Sequence, residues 1–227
     1  MIKIKKKIDC IIQARMNSRR LPGKILKKIK GKTTFLEYLI FRLKKSKNIN
    51  QILIACSKNK KDKKIINFCK KNNINYFIGD EKNVLKRYYD SAKYIKSKNI
   101  LRITSDCPFT DPKLIDKSII LYNKKKIDYF SNTIERTFPV GLDHEIFNFK
   151  ALKLAFHNAK SLYDKEHVTP YIRRSKKIKK YCLKLKTNLS YIRITLDTKK
   201  DLENLRMIAN KISNRIIWPW RNILKII

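Results

Sequence analysis

The residues best suited to chemistry come early. From Ile12 to Lys24 the chain reads IQARMNSRRLPGK, an apolar end running into Arg15, Arg19, Arg20 and Lys24 around a Pro22–Gly23 pair. Pro-Gly sets a tight turn, and glycine lets the backbone approach a ligand closely. Arginine offers a flat fork to phosphate oxygens, and lysine a compact charge. Such a loop can meet a polyphosphate, although the same composition also makes a solvated basic turn, in which Arg19 has least to do. Carboxylates are scarce, 18 against 56 lysines and arginines, so their placement is informative. Asp106 in RITSDCP and Asp197 in TLDTKKDLE each follow an apolar run of strand length. Two carboxylates at strand ends can together hold a Mg2+ that keeps waters and takes phosphate oxygens as its other ligands. Taken singly, each also suits a turn or a helix cap.

The elements that must position these groups alternate along the first half. Ile8 to Ala14 is a nearly unbroken apolar run, as expected of a strand covered on both faces. Helical spacing over 33–47 is followed by an apolar run at 51–56, a helix at 62–71 and a strand at 74–78. A helix at 84–98 and a strand at 100–104 complete the series. This β-α-β-α order predicts an α/β, Rossmann-like, mostly parallel sheet with helices on both faces. Ligands of such sheets bind where strand C-terminal ends open into loops, so the basic loop and Asp106 share an edge.

The second half is less regular. Asp111 and Pro112 start a helix to about Asn123, and 128–132 and 141–147 read as strands. Asn148 caps a helix to Ala159, and a further helix runs from about Asp164 to Arg174. Strands are expected at 178–185 and 191–196, then a Thr198–Asp201 capping arrangement opens a helix to about Ile212. With no repeat or low-complexity linker, the expectation is one domain over 1–213, with a small β-containing insertion in its second half. A C-terminal tail follows over 214–227.

Composition narrows the class. A chain of 227 residues that is 43% hydrophobic can bury a sizeable core. No apolar run approaches the ~20 residues that cross a bilayer, and the short apolar N-terminal segment reads as the first strand of a cytoplasmic protein. The formal charge of +38 raises nucleic-acid binding as a function. Yet the lysines are spread over nearly every segment (Lys3, Lys44, Lys60, Lys96, Lys124, Lys179, Lys211), with few aromatics interleaved for base stacking. We read the charge as compositional drift and expect no dedicated nucleic-acid partner. Five cysteines, an odd number without a C-x-x-C pair, support neither a disulfide framework nor a zinc site. Buried reduced thiols are the expectation.

Six ordered motifs carry a resemblance: the LPGK loop, DEKNVLKRYYDSA, RITSDCP, SNTIERTFPVGLDHEIF, KEHVTPYIRR and TLDTKKDLE. Together, from about Ile8 to Ile212, the chain resembles the cytidylyltransferases of the spore-coat polysaccharide protein F type. These are relatives of the acylneuraminate and 3-deoxy-manno-octulosonate cytidylyltransferases, of the nucleotide-diphospho-sugar transferase fold type. The resemblance implies transfer of CMP from CTP to an acidic sugar or similar acceptor, with Mg2+ as cofactor and release of pyrophosphate. It implies that Arg15 and Lys24 hold the triphosphate and that Asp106 and Asp197 hold the metal. Ala14 and Thr104 would lie near the nucleotide, with Arg20 and Gly23 in the same loop. Glu135, Arg136, Asp143, Glu145, His167 and Arg173 would lie on the acceptor side. In that role Arg173, with Arg174, would face an acceptor carboxylate, and His167 or His144 could serve as a base. The chain departs from the family at Asn17, where glycine is usual, and at Arg19, where threonine is common. The expected partners are CTP and a small acidic acceptor, with a homodimer left open. Two other classes explain parts of the pattern: a basic nucleic-acid-binding protein, and a sugar-nucleotide-binding protein without turnover.

Overall fold

The computed structural model of the protein describes residues 7–212 and 217–227; the basic start at 1–6 and the expected boundary between 213 and 214 lie outside the described residues. Strand β1 (Ile8–Gln13) sends Ile8, Cys10 and Ile12 to one face of the sheet and Ile11 to the other, all fully buried. A strand covered on both faces has no polar side, which is why its apolar run is broken only by Asp9 and by Gln13 at its end. β4 (Ile49–Ser57), β5 (Asn75–Gly79) and β6 (Asn99–Thr104) lie parallel to it in the order β5-β4-β1-β6. Beyond β6 come β8 (Glu145–Asn148), β7 (Tyr129–Ser131) and β9 (Lys180–Cys182). β8 runs against both its neighbours, and β9 pairs parallel with β7. One seven-stranded sheet, mostly parallel, therefore takes strands from both halves of the chain. A two-stranded hairpin, β2 (Lys28–Lys30) with β3 (Thr33–Thr34), follows the basic loop.

Helices cover both faces. On one side α1 (Phe35–Leu43), α2 (Lys63–Lys71), α4 (Pro112–Lys125) and α8 (Lys199–Lys211) bury residues such as Leu39, Ile65, Ile115 and Leu205. On the other, α3 (Val84–Tyr94) and α5 (Phe149–Asn158) bury Leu85, Tyr88 and Leu152. α1 opens on a capping box between Thr34 and Glu37, and α8 on one between Thr198 and Asp201. Trp220 and Ile223 of the short α9 (Trp220–Leu224) pack into the first of these cores.

Four expectations change, the simplest being the strand at 178–185, which shortens to β9. The helix at 164–174 is two pieces, α6 (Leu162–His167) and α7 (Pro170–Arg174). Val168 turns the chain between them at φ +72°, and Pro170 has no N–H to continue the ladder. The run 191–196 is no strand: it makes a single bridge, Val140 to Arg193, and beyond it Leu196 N–H donates to the Asp106 carbonyl at 2.8 Å, with Thr195 Oγ1 donating to the same carbonyl at 3.0 Å. The strand at 141–147 shortens to β8, because Gly141 sits at φ +109° against the backbone of Ile194, where a Cβ would lie 2.6 Å from the Ile194 carbonyl. All five cysteines are free, and Cys10, Cys56, Cys69 and Cys107 are buried, as expected. Among the described residues no helix is long and apolar enough to cross a membrane.

Candidate active site

The C-terminal ends of β1 and β6 open into a cavity of about 490 Å3. The loop from Ala14 to Lys24 forms one wall. It is built by two anchors. Buried Asp62 accepts the Met16 N–H at 2.7 Å while also holding Ser57 at the end of β4. Gly23 N–H closes the loop onto the Met16 carbonyl at 2.9 Å. Gly23 adopts φ +67° to do so, a conformation side chains rarely take, and it closes the loop rather than lining the cavity. Asn17 does not share that geometry: it is not among the positive-φ residues, so the loop needs no glycine there.

Arg15, Arg19, Arg20 and Lys24 all line the cavity, including Arg19, the one expected to be idle. Arg15 lies 3.7 Å from Glu166, and Arg20 pairs with Asp197. Ala14, buried, and Thr104 line it as well. Lys24 is only 8% exposed and spends its ammonium inside the site. It donates to Asp106 Oδ2 and Asp197 Oδ1 at 3.0 Å each and to the Leu196 carbonyl at 2.6 Å. Sharing one nitrogen places those two carboxylate oxygens within 6 Å of each other. Asp197 Oδ2 also accepts from Arg20 and, at 3.1 Å, from Arg193. Burial works against the Asp197 carboxylate, but Lys24, with Arg193 and Arg20, holds it below the ordinary carboxylate range. Burial pushes the neighbouring Cys107 thiol well up, so it stays neutral.

A second cavity of about 110 Å3 adjoins the first through Arg102, Thr104 and Asp143. Its lining includes Arg136, Glu145 and Arg173. Arg136 and Asp143 form a two-pronged pair at 2.6 and 2.7 Å. Glu145 is the buried hub: it accepts from Arg102, from Tyr129 Oη, from Arg173 at 2.7 Å and from Thr169 Oγ1 at 2.8 Å. Burial opposes its ionisation, but Arg102 and Arg173 outweigh that and its pKa is pushed down to about 2. Glu145 thus organises the wall, with Oε1 taken by three donors and Oε2 by Arg102.

The other residues expected on the acceptor side scatter. His167 lines the first cavity, its ring 4.5 Å from that of Tyr163. Glu135 lies outside both cavities, where it is exposed and pairs with Lys184. Arg174 is turned away onto Asp164, which it grips with both nitrogens at 2.5 Å. His144 is no base. Its Nδ1 faces the Leu142 carbonyl at 3.0 Å and so carries the proton, while Nε2 accepts from Ser118 Oγ at 2.7 Å. Burial holds it neutral. The sequence reading missed Gln13, Arg87, Arg102 and Arg193, all cavity-lining. Arg102 and Arg193 sit inside apolar runs, where only the pairing partners Glu145 and Asp197 mark them as site residues.

Basic side chains facing a carboxylate pair, at the C-terminal edge of a doubly covered parallel sheet, define a nucleotidyltransferase-type site. Residues 10–216 match the family model described as cytidylyltransferase, and the chain belongs to that family. It is 42% identical over 200 residues to the uncharacterized protein MJ1063 of Methanocaldococcus jannaschii, covering 87% of this chain and 81% of that protein. It is 32% identical over 216 residues to the spore coat polysaccharide biosynthesis protein SpsF of Bacillus subtilis, covering 90% and 87%. Among solved structures, a cytidylyltransferase from Leptospira borgpetersenii superposes with a TM-score of 0.91 at 32% identity, covering 97% of this chain and 93% of that one.

Proposed function

We propose that this cytidylyltransferase moves CMP from CTP to a small acceptor bearing one carboxylate, such as a sugar acid, and releases pyrophosphate. The observation that carries this reading is the convergence of Asp106 and Asp197 on Lys24, at the end of the basic loop. Arg15, Arg19 and Arg20 would clasp the triphosphate, and the Ala14 side of the cavity would take the base. Among the described residues no cluster of three or more His, Cys, Asp or Glu side chains is arranged to hold a metal. Mg2+ needs no such cluster, since it binds through one or two carboxylates plus substrate phosphates and waters. The all-oxygen pair of Asp106 and Asp197 fits it, and these two residues would hold it. When bound, the ion neutralises charge on the phosphates.

The acceptor hydroxyl would attack the α-phosphorus in line with the departing pyrophosphate, whose negative charge the loop arginines and Lys24 stabilise. His167, at the cavity wall, is the base this reading assigns to the acceptor proton. The second cavity supports an anionic acceptor. Arg102, Arg136 and Arg173 face Asp143 and Glu145 there, leaving one positive charge in excess. Arg102 Nε is also buried without a hydrogen-bond partner. The test is pyrophosphate release from CTP across sugar acids and their neutral alcohol counterparts. Release with the acids alone is expected; binding of CTP without release from any acceptor would favour a protein that holds nucleotides without turning them over.

A further inference from the structure

The C-terminal segment has no part in the chemistry above, yet its attachment converges on the loop that carries Asp106. That loop, Ser105 to Asp111, is pinned at its start: the Asp106 carbonyl accepts Leu196 N–H at 2.8 Å and Thr195 Oγ1 at 3.0 Å. Its far end is pinned by the tail. Asp111, 2% exposed, divides its carboxylate between two jobs. Oδ1 caps α4 by accepting the Lys113 and Leu114 N–H groups at 2.7 and 3.3 Å. Oδ2 accepts the Trp220 N–H at 2.7 Å. Arg42 of α1, fully buried, makes the second tie: Nε donates to the Thr110 carbonyl at 3.0 Å and Nη2 to the Trp218 carbonyl at 2.9 Å.

A buried guanidinium is costly, and this one spends its charge on two carbonyls, one in the loop and one in the tail. Its Nη1 is buried without a hydrogen-bond partner, and burial holds its pKa below the usual arginine value. The Trp220 ring then lies 5.8 Å from Phe138, two residues before the cavity-lining Val140. Tail, loop and the 138–140 segment are thus fastened at one place.

We propose that the segment Trp218–Leu224 is a clamp that sets the position of Asp106, with Arg42, Asp111 and Trp220 as positioning residues for nucleotidyl transfer. This rests on the reading that Asp106 acts in that reaction. A catalytic group displaced by a fraction of an ångström loses much of its effect, so a clamp five residues away acts on turnover rather than on nucleotide binding.

Asp111→Asn in the full chain separates the two jobs. The amide oxygen still caps α4, while the NH2 group meets the Trp220 N–H donor to donor. The expected result is a fall in kcat of ~10-fold, with the KM for CTP within about twofold of the parent. Hydrogen exchange should quicken in a peptide covering 104–111 and stay unchanged in one covering 8–14. A variant that loses thermal stability but keeps kcat and the exchange rate of 104–111 overturns the clamp, leaving the tail as packing. Should Asp111→Asn not fold, the pair Trp220→Ala and Trp220→Phe decides. The clamp predicts low kcat for alanine and recovery with phenylalanine; equal kcat in both overturns it. Asp106→Asn with full turnover, alongside quickened exchange in Asp111→Asn, would instead overturn the role given to Asp106 and leave the clamp as a structural fact.

Discussion

Replacing Lys24 with methionine keeps the unbranched stem of the side chain and removes the ammonium that joins Asp106 to Asp197. Two carboxylates within 6 Å then face each other unbridged. At that distance and an effective dielectric of ~20, their repulsion is about 3 kcal/mol. Their side chains are 30% and 18% exposed, so solvent reduces this to about 1–2 kcal/mol. Loss of the charged hydrogen bond to the Leu196 carbonyl adds about 1–2 kcal/mol, for a total near 2–4 kcal/mol at pH 7. Urea unfolding measures it directly. Because the folded-state pKa of Asp197 is depressed, its contribution is present above the unfolded pKa and is lost as pH falls through the folded value. The parent protein should therefore lose more stability than Lys24→Met on acidification, and the gap between them should narrow. Turnover at pH 7 should drop ~10²-fold or more, as for removal of one transition-state donor. Unchanged pyrophosphate release, or a stability gap that stays constant into acid, would refute the bridging role.

Glu145→Gln should cost about 3–5 kcal/mol in denaturant unfolding, because it leaves the Arg102 and Arg173 guanidiniums without their anion. In the parent protein, the stability Glu145 contributes is complete above its unfolded pKa near 4.5 and should fade as pH drops toward about 2. Asp106→Asn and Asp197→Asn should each collapse turnover and shift its Mg2+ dependence to higher concentration, with the double variant little worse than the weaker single one. Lys60, Lys124 and Lys179 are exposed; reversing all three to Glu should leave CTP turnover nearly intact, and a large loss in a folded protein would show that charge steering matters.

The parallel half of the sheet was legible because apolar runs and helical spacing alternate cleanly there, and β1, β4 and β6 lie within a few residues of the runs that announce them. The basic loop and the two strand-end aspartates could be found from residue type and scarcity alone. What sequence did not disclose is partnership. Nothing in the order of residues says that Arg102 will face Glu145 rather than a ligand, or that Arg174 will close on Asp164, since each pair is joined only by folding. The segment 191–196 looked like a strand because its side chains alternate. Its backbone instead divides between Leu189, Val140 and, through Leu196 N–H, the Asp106 carbonyl, the last two being long-range contacts that no local pattern records. His144 likewise reads as a candidate base until Ser118 and Leu142 occupy both ring nitrogens.

The central claim is that the loop and the aspartate pair serve transfer of the nucleotidyl group rather than of a terminal phosphate. CTP radiolabelled at the α-phosphorus, incubated with the protein, Mg2+ and a sugar-acid acceptor, tests this most directly. The account predicts that the label appears in the acceptor product and that unlabelled pyrophosphate is released in equal amount. Label left in CDP or CMP with a phosphorylated acceptor, or no transfer while CTP binds, would contradict it.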